Sequence, residues 1–211
     1  MGDEQRKEFH KKEALAHLDA IKSVLIDKDA FFPYNYNALI VWGVIATIMT
    51  FVMPSLMKTS VLQGTLFSIF MMGMGFTIEA FLTKRVNEDY DIESCTRKQK
   101  FIVSTFTIQT IFAVVMSALL AKYDLIIPLF MLWMFLCGVG DFVVGYVLNI
   151  RLFTFAGYLS ISTAILLLVI ALFMKDLGSL DSDFFYFVQG VTVALLGVGP
   201  VLIAFKLKKE Q

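Results

Sequence analysis

Six apolar runs, each about 20 residues long, constrain this chain more than any other feature of its sequence. Crossing about 30 Å of hydrocarbon at 1.5 Å per residue takes about 20 residues of helix. The runs lie near residues 37–57, 61–83, 101–121, 126–149, 152–174 and 184–205. Of the 211 residues, 58% are hydrophobic, which exceeds the usual share in a water-soluble domain. We therefore expect an all-α membrane protein, with a six-helix domain over residues 34–211 and the lipid bilayer as its main partner.

Basic residues fall on alternate connections between these runs and so predict an orientation. They precede the first run, occupy the connection 84–100 and follow the fourth and sixth runs: Arg6, Lys7, Lys11, Lys12, Lys84, Arg85, Arg97, Lys98, Lys100, Arg151, Lys206, Lys208 and Lys209. The other connections hold one lysine each, at Lys58, Lys122 and Lys175. Because positive loops stay in the cytoplasm, we expect both termini inside. The predicted location is a cell membrane, of the bacterial cytoplasmic kind.

Residues 1–33 precede the first span and carry apolar side chains at helical spacing. Ala14, Leu18, Ile21 and Leu25 form one stripe among charged positions, a pattern typical of an amphipathic cytoplasmic helix. Acidic residues between the lysines favour contact with protein over anchoring to anionic lipid. The stripe alone leaves open whether it covers the membrane surface, a second copy in a homo-oligomer, or the connection 84–100. Residues 1–30 and 84–100 are also the candidate contacts for a cytoplasmic protein partner.

A Gly-x-Gly pair recurs in every second span. The pairs are Gly73 and Gly75, Gly138 and Gly140, and Gly197 and Gly199. This recurrence predicts three tandem hairpins of two helices each. Small residues in membrane helices usually permit close helix packing, and we interpret the glycines in this way rather than as ligand contacts. Pro200 follows the last pair and is expected to kink the sixth helix or free a carbonyl group.

Polar side chains inside the spans are few, and one of them is a carboxyl. Asp141 lies near the middle of the fourth span, at a depth comparable to Gln109, Ser160 and Thr163. A charged group at this depth is costly and commonly functional, so we expect Asp141 to carry a proton or to accept a hydrogen bond from Gln109. Glu79 lies nearer the cytoplasmic interface. The five residues form a predicted polar station, although interhelical hydrogen bonding alone would also explain them.

Several classes of function find no support in the sequence. Eighteen basic residues balance eighteen acidic ones, so nucleic-acid binding is not expected. His10, Glu13 and His17 share one helical face, but this spacing lacks the tight pattern of a metal site. Both histidines belong to the amino-terminal segment, which excludes a Ser/His/Asp set within the spans. We therefore expect no enzyme activity, no metal and no cofactor.

Four local stretches give the chain a resemblance to a known group of proteins. They are Val41-Trp42-Gly43, the basic run Arg97–Lys100, the glycine-rich stretch Gly138–Gly145 with Asp141 inside it, and Gly197–Pro200. In these the chain resembles small bacterial six-helix membrane proteins that carry a short cytoplasmic helix in front. The resemblance implies the six-helix fold and no particular substrate. Asp141 departs from the small uncharged residue expected there, so a role for this carboxyl would be particular to this chain.

Two functions are consistent with these features. The first is a component of an ion or proton channel or transporter, in which Asp141 and Gln109 hold a proton or cation and Glu79 marks the inner mouth. The second is a non-catalytic regulatory or interaction subunit of a membrane complex, since the predicted cytoplasmic side holds most of the charged residues. An intramembrane carboxyl favours the first.

Overall fold

The structure is a computed structural model that describes residues 34–90, 92 and 95–210. The predicted amphipathic helix over residues 1–33, with His10, Glu13 and His17, lies outside the described residues. Within them the chain is helical, and no strand occurs in the described part.

Six helices in the described residues are long and apolar enough to cross a membrane, which confirms the count made from the apolar runs. They are α1 (Asn37–Thr59), α2 (Val61–Asp89), α3 (Arg97–Lys122), α4 (Ile126–Leu148), α5 (Arg151–Ala171) and a sixth span made of α6 (Asp183–Thr192), a π-helical segment (Val193–Val198) and α7 (Gly199–Glu210). The helices extend past the apolar runs at several ends because a helix continues into the interface after its apolar residues stop. Hydropathy therefore located the spans better than it located the helix ends.

Large apolar side chains are exposed on the outward surface of the bundle. Phe70, Ile108, Val115, Phe155 and Phe205 are each more than half exposed, and they come from four different spans. A water-soluble monomer rarely exposes so much contiguous apolar surface. This surface fits the hydrocarbon of a bilayer, and the protein is a multi-pass membrane protein by length, composition and surface.

Packing among the spans departs from the three predicted hairpins. The most extensive helix contact joins α4 to α5, which the prediction assigned to different hairpins, while α5 meets the sixth span only sparsely. A Cβ atom added to Gly157 of α5 would lie 2.7 Å from the carbonyl oxygen of Gly138, so small residues set this close approach. The sixth span packs on α1 instead, where Gly43 faces Gly197. The third hairpin exists in chain order but not as a packed pair.

The connection 84–100, predicted as a long charged loop, is mostly helical. Helix α2 continues to Asp89 and α3 begins at Arg97. The side-chain amides of Asn87 and Gln99 exchange two hydrogen bonds of 3.1 and 2.8 Å across this end, and both residues are buried. Thr96 and Gln99 also form a capping box at the start of α3, which satisfies free backbone N–H groups. The two helices are thus joined firmly at the predicted inner side.

At the opposite end of the bundle the short connections contact one another. Lys58, in the last turn of α1, forms an ion pair with Asp124 between α3 and α4. The backbone N–H of Ile127 donates to the carbonyl of Leu177, which lies between α5 and α6. These contacts tie the three predicted outer connections together, although their sequences are short and carry few charges.

Candidate functional site

A cavity of about 160 Å³ lies within the bundle, and all six spans contribute residues to its wall. On α1 the lining residues extend from Leu39 to Met53, and on α4 they extend from Phe130 to Val144. Each pair is 14 positions apart, or about 21 Å of helix at 1.5 Å per residue. The cavity therefore follows the helices over roughly two thirds of a hydrocarbon thickness of about 30 Å.

Aromatic side chains form much of the cavity wall. They include Trp42, Phe76, Phe106, Phe130 and Trp133, and the rings of Trp42 and Phe76 meet edge to face with centroids 5.3 Å apart. The chain has two tryptophans, and both line this cavity. Because the rings come from α1 to α4, the apolar wall surrounds the space rather than covering one side of it.

Glu79 faces the cavity in a fixed position. The indole N–H of Trp42 donates a hydrogen bond of 2.8 Å to one carboxylate oxygen of Glu79, so α1 holds a side chain of α2. Gly75 makes this possible, because a Cβ there would lie 2.6 Å from the indole ring of Trp42. Among the described residues no ion pair joins Glu79 to Lys84 or Arg85; Lys84 lies 3.9 Å from Glu88.

Asp141 and Gln109 line the same cavity without bonding to each other. Asp141 is half-buried, and it makes no hydrogen bond or ion pair with any residue in the ranges that the structure describes. The amide oxygen of Gln109 would lie 3.3 Å from a Cβ on Gly140, the residue before Asp141, so α3 and α4 approach each other closely at this level. The predicted hydrogen bond between them is absent from the described contacts. Both groups are left to face the space between the helices.

The charged and polar side chains of the cavity wall would attract a cation rather than an anion. Among the described lining residues there are two carboxyls and no lysine, arginine or histidine. The hydroxyls of Thr50 and Thr192 donate to backbone carbonyls of their own helices, at 2.7 and 2.8 Å. A hydroxyl has one donor and two acceptor lone pairs, so these oxygens retain only acceptor capacity. The cavity presents acceptors and acids to its contents.

Tyr34 lines the cavity at its predicted cytoplasmic end. Burial raises the pKa of this phenol well above its ordinary value, and Glu79 and Asp141 add to the effect through their charge. Tyr34, Glu79 and Asp141 all line the cavity. Tyr34 therefore stays neutral over the physiological range and presents a ring, not a charge, to the cavity.

Two residues of the predicted polar station lie elsewhere. Ser160 is buried where α5 meets α4, and its Cβ would lie 2.9 Å from a Cβ on Gly138. Thr163 is half-buried on the same helix and does not line the cavity. The α5 residue that does so is Phe153, near the inner end of that helix. The station expected from depth alone is thus reduced to Asp141, Gln109 and Glu79.

The glycines of the repeated pairs do not share one role. Gly75 and Gly140 give room to the cavity aromatics Trp42 and Phe106, whereas Gly73 has no neighbour within 4 Å of an added Cβ. Gly197 lies against Thr47 of α1, and Gly199 approaches only Ala194 of its own span. The three pairs are alike in sequence, but their glycines lie in different packing environments.

Pro200 also lines the cavity, directly after the π-helical segment of the sixth span. The N–H of Gly199 donates to the carbonyl of Ala194, five residues earlier, in place of the four-residue spacing of an α-helix. Proline removes one backbone donor and clashes with the preceding turn, and the wider turn accommodates both effects. The break predicted at Pro200 is thus a π-helical turn, a feature frequent at functional sites.

Sequence reasoning missed the aromatic wall. Trp42, Phe76, Phe106 and Trp133 read as ordinary apolar residues of their spans, since helical spacing does not show which face is turned inward. The signal that was present is the second glycine of the first two pairs, because a missing side chain in a membrane helix makes room for a large one on a neighbour.

Fold and cavity together define the class: a six-span helical membrane protein with an acidic, aromatic-walled cavity between its helices. Comparisons with protein-family models, with curated proteins and with solved structures found no match. The cavity itself is therefore the basis for a proposed function.

Proposed function

We propose that this protein is a transporter that binds a small cation at Asp141 and Glu79 within the membrane. The observation that carries the proposal is the position of Asp141. Its carboxyl faces a cavity, and no described residue supplies it with a hydrogen bond or a positive charge.

This position favours transport over a purely structural role. A carboxyl that held two helices together would bond across the helix interface, as the indole of Trp42 bonds to Glu79. Asp141 makes no such bond among the described residues. An unpaired polar group costs free energy in an apolar medium, and an intramembrane carboxyl is commonly part of an ion or substrate path. A cation in the cavity would supply the missing partner.

The shape of the cavity supports a carrier more than an open pore. The space follows the helices for about 21 Å, and aromatic rings and Pro200 stand along it. Glu79 of α2 and Asp141 of α4 lie in its inner half. Helix α3 lies between these two helices in the sequence and contacts both of them. Two carboxyls on different helices allow the cation to be shared between them while the helices move relative to each other.

A flux measurement with reconstituted protein tests this function. Proteoliposomes with an internal pH dye would be given a gradient of a monovalent cation, and cation-dependent proton release would be recorded. We expect Asp141→Asn to lower the initial rate at least tenfold. Asp181→Asn is the matched control, because Asp181 is exposed in the connection before α6 and is expected to leave the rate within about twofold of wild type.

Two outcomes would overturn the proposal. One is a wild-type protein that moves neither protons nor any cation under gradients of either direction. The other is an Asp141→Asn variant that folds, as judged by its elution from a sizing column, and transports at the wild-type rate.

A second candidate, the interaction subunit, is favoured by the inner end of α2 and α3. The buried pair Asn87 and Gln99 fixes this end, and the exposed basic side chains around it include Lys84, Arg85 and Lys100. Exposed basic side chains on a well-fixed helix end suit an acidic protein partner. Copurification in mild detergent would compare the full chain with chains lacking residues 1–30 or neutralised at these three positions. A stoichiometric companion lost in both variants supports a subunit; identical companions in all three exclude it.

A further inference from the structure

We infer that the cation held in this cavity is a monovalent organic ammonium ion with a small apolar or aromatic group, about the size of benzylammonium. The inference rests on the proposed function and names its substrate class. It follows from the volume, the wall and the acceptors of one cavity.

The volume is too large for a bare metal ion and suitable for a small organic molecule. At about 160 Å³ the cavity resembles an engineered protein cavity of about 150 Å³ that admits benzene. Filling such a space with ordered water requires two to four polar partners for each molecule. The wall, built largely from aromatic and thioether side chains, offers far fewer.

The wall matches the apolar part of such a cation. Trp42, Phe76 and Phe106 contribute rings next to the acidic groups. A cation within about 6 Å of a ring face is attracted by the ring quadrupole. Met49, Met53 and Met72 line the cavity as well, and unbranched thioether side chains adapt to ligands of different shape.

The polar groups match the ammonium end. The hydrogen bond from Trp42 occupies one oxygen of Glu79 and orients the carboxylate, whose remaining lone pairs stay available. Asp141 of α4 and Gln109 of α3 line the same cavity, and the amide oxygen of Gln109 would lie 3.3 Å from a Cβ added to Gly140, the residue before Asp141. The cavity wall thus carries at least three acceptor oxygens for the three N–H donors of a primary ammonium.

A hard metal ion fits the same groups poorly. Calcium takes six to eight oxygen ligands and magnesium an octahedral set. Among the described residues no cluster of three or more metal-ligating side chains occurs. With no basic residue in the described wall, an anion would find two carboxyls and no positive charge. An organic ammonium ion is the ligand class that matches both the carboxyls and the aromatic rings of the wall.

Intrinsic fluorescence tests this inference directly, because both tryptophans of the chain line the cavity. Purified full-length protein would be titrated with benzylammonium, benzyl alcohol and benzoate, which share one ring and differ in charge. We expect saturable quenching or a spectral shift with benzylammonium, at least tenfold weaker binding of benzyl alcohol, and none of benzoate. Asp141→Asn is expected to weaken benzylammonium binding at least tenfold, and Asp181→Asn to leave it unchanged.

Equal binding of the three compounds would overturn the inference, since the cavity would then be a general apolar pocket. Unchanged benzylammonium binding in the double variant Glu79→Gln, Asp141→Asn would overturn it too. Failure of the inference is distinguishable from failure of the transport proposal. Asp141-dependent proton flux without benzylammonium binding contradicts only the substrate class, whereas binding without any flux contradicts only transport.

Discussion

At the scale of single residues, the shape of the cavity depends on two glycines that face large rings. A Cβ on Gly140 would lie 2.5 Å from the ring of Phe106, too close to be accommodated without moving the ring. The indole of Trp42 stands in the same relation to Gly75. Each glycine thus permits an aromatic side chain to pack against its helix and turn toward the cavity.

Substitution of Gly140 by alanine tests this role. We expect Phe106 to move toward the cavity, with a loss of about 1–3 kcal/mol in the free energy of unfolding, the usual cost of overpacking. Gly73→Ala is the matched control, because nothing lies within 4 Å of an added Cβ there. Alanine is favoured over glycine inside a helix by about 0.5–1 kcal/mol, so the control is expected to be neutral or stabilising. Thermal unfolding in detergent measures both, and equal losses would contradict the assignment.

The hydrogen bond from Trp42 to Glu79 leads to a second residue-scale prediction. Trp42→Phe keeps a ring on the wall but removes the N–H donor, and leaving a buried acceptor unpaired costs about 1–3 kcal/mol. Glu79→Gln, in contrast, keeps an acceptor oxygen for the indole. We therefore expect Trp42→Phe to lower the unfolding temperature more than Glu79→Gln does. The reverse order would show that the carboxylate charge, not the hydrogen bond, stabilises this pair.

At the scale of helices, the joined ends of α2 and α3 form a unit that the sequence concealed. Asn87 and Gln99 bond to each other through both of their amide groups. We expect Asn87→Ala and Gln99→Ala each to cost about 1–3 kcal/mol in the free energy of unfolding. The double variant should cost clearly less than the sum, because residues of one network couple by about 0.5–3 kcal/mol. Additive losses in chemical unfolding would contradict a shared interaction.

Helix existence was predictable, and helix packing was not. Six apolar runs of sufficient length leave a membrane chain few alternatives, because backbone groups in lipid must bond within their own helix. The end of α2 was placed too early because charged residues such as Lys84 terminate an apolar run but continue a helix. The pairing of α4 with α5 was missed because its close approach depends on Gly138 meeting Gly157, and one sequence does not show which small residues face each other.

The candidate site was predictable in the same partial way. Asp141, Gln109 and Glu79 were identifiable because a polar residue in a membrane span is costly wherever it lies. Depth along the chain does not fix the direction of a side chain, which is why Ser160 and Thr163 were grouped with them. The aromatic wall required the three-dimensional arrangement.

At the scale of the whole molecule, orientation in the membrane remains a prediction of the basic residues. Cys95 is exposed between α2 and α3, on the side that the positive-inside rule assigns to the cytoplasm. A membrane-impermeant maleimide should therefore label Cys95 in inside-out vesicles and not in sealed right-side-out vesicles. Labelling of right-side-out vesicles alone would reverse the topology, and the direction of proposed transport with it.

The proposed cation transport requires that cations enter the space between the helices and that Asp141 attracts them. Cys137 lines the same cavity and lies one helical turn from Asp141 on α4. In a Cys95→Ser protein, Cys137 is the remaining thiol, and methanethiosulfonate reagents of matched size can carry a positive charge, a negative charge or none.

Rates of Cys137 modification by these three reagents show whether cations enter the cavity and whether Asp141 attracts them. After each rate is divided by that of the neutral reagent, we expect the cationic reagent to react at least tenfold faster than the anionic one. We also expect Asp141→Asn to reduce this preference and benzylammonium to slow the reaction. A thiol that reacts with none of them, or with all three at rates independent of charge and of Asp141, would contradict the account.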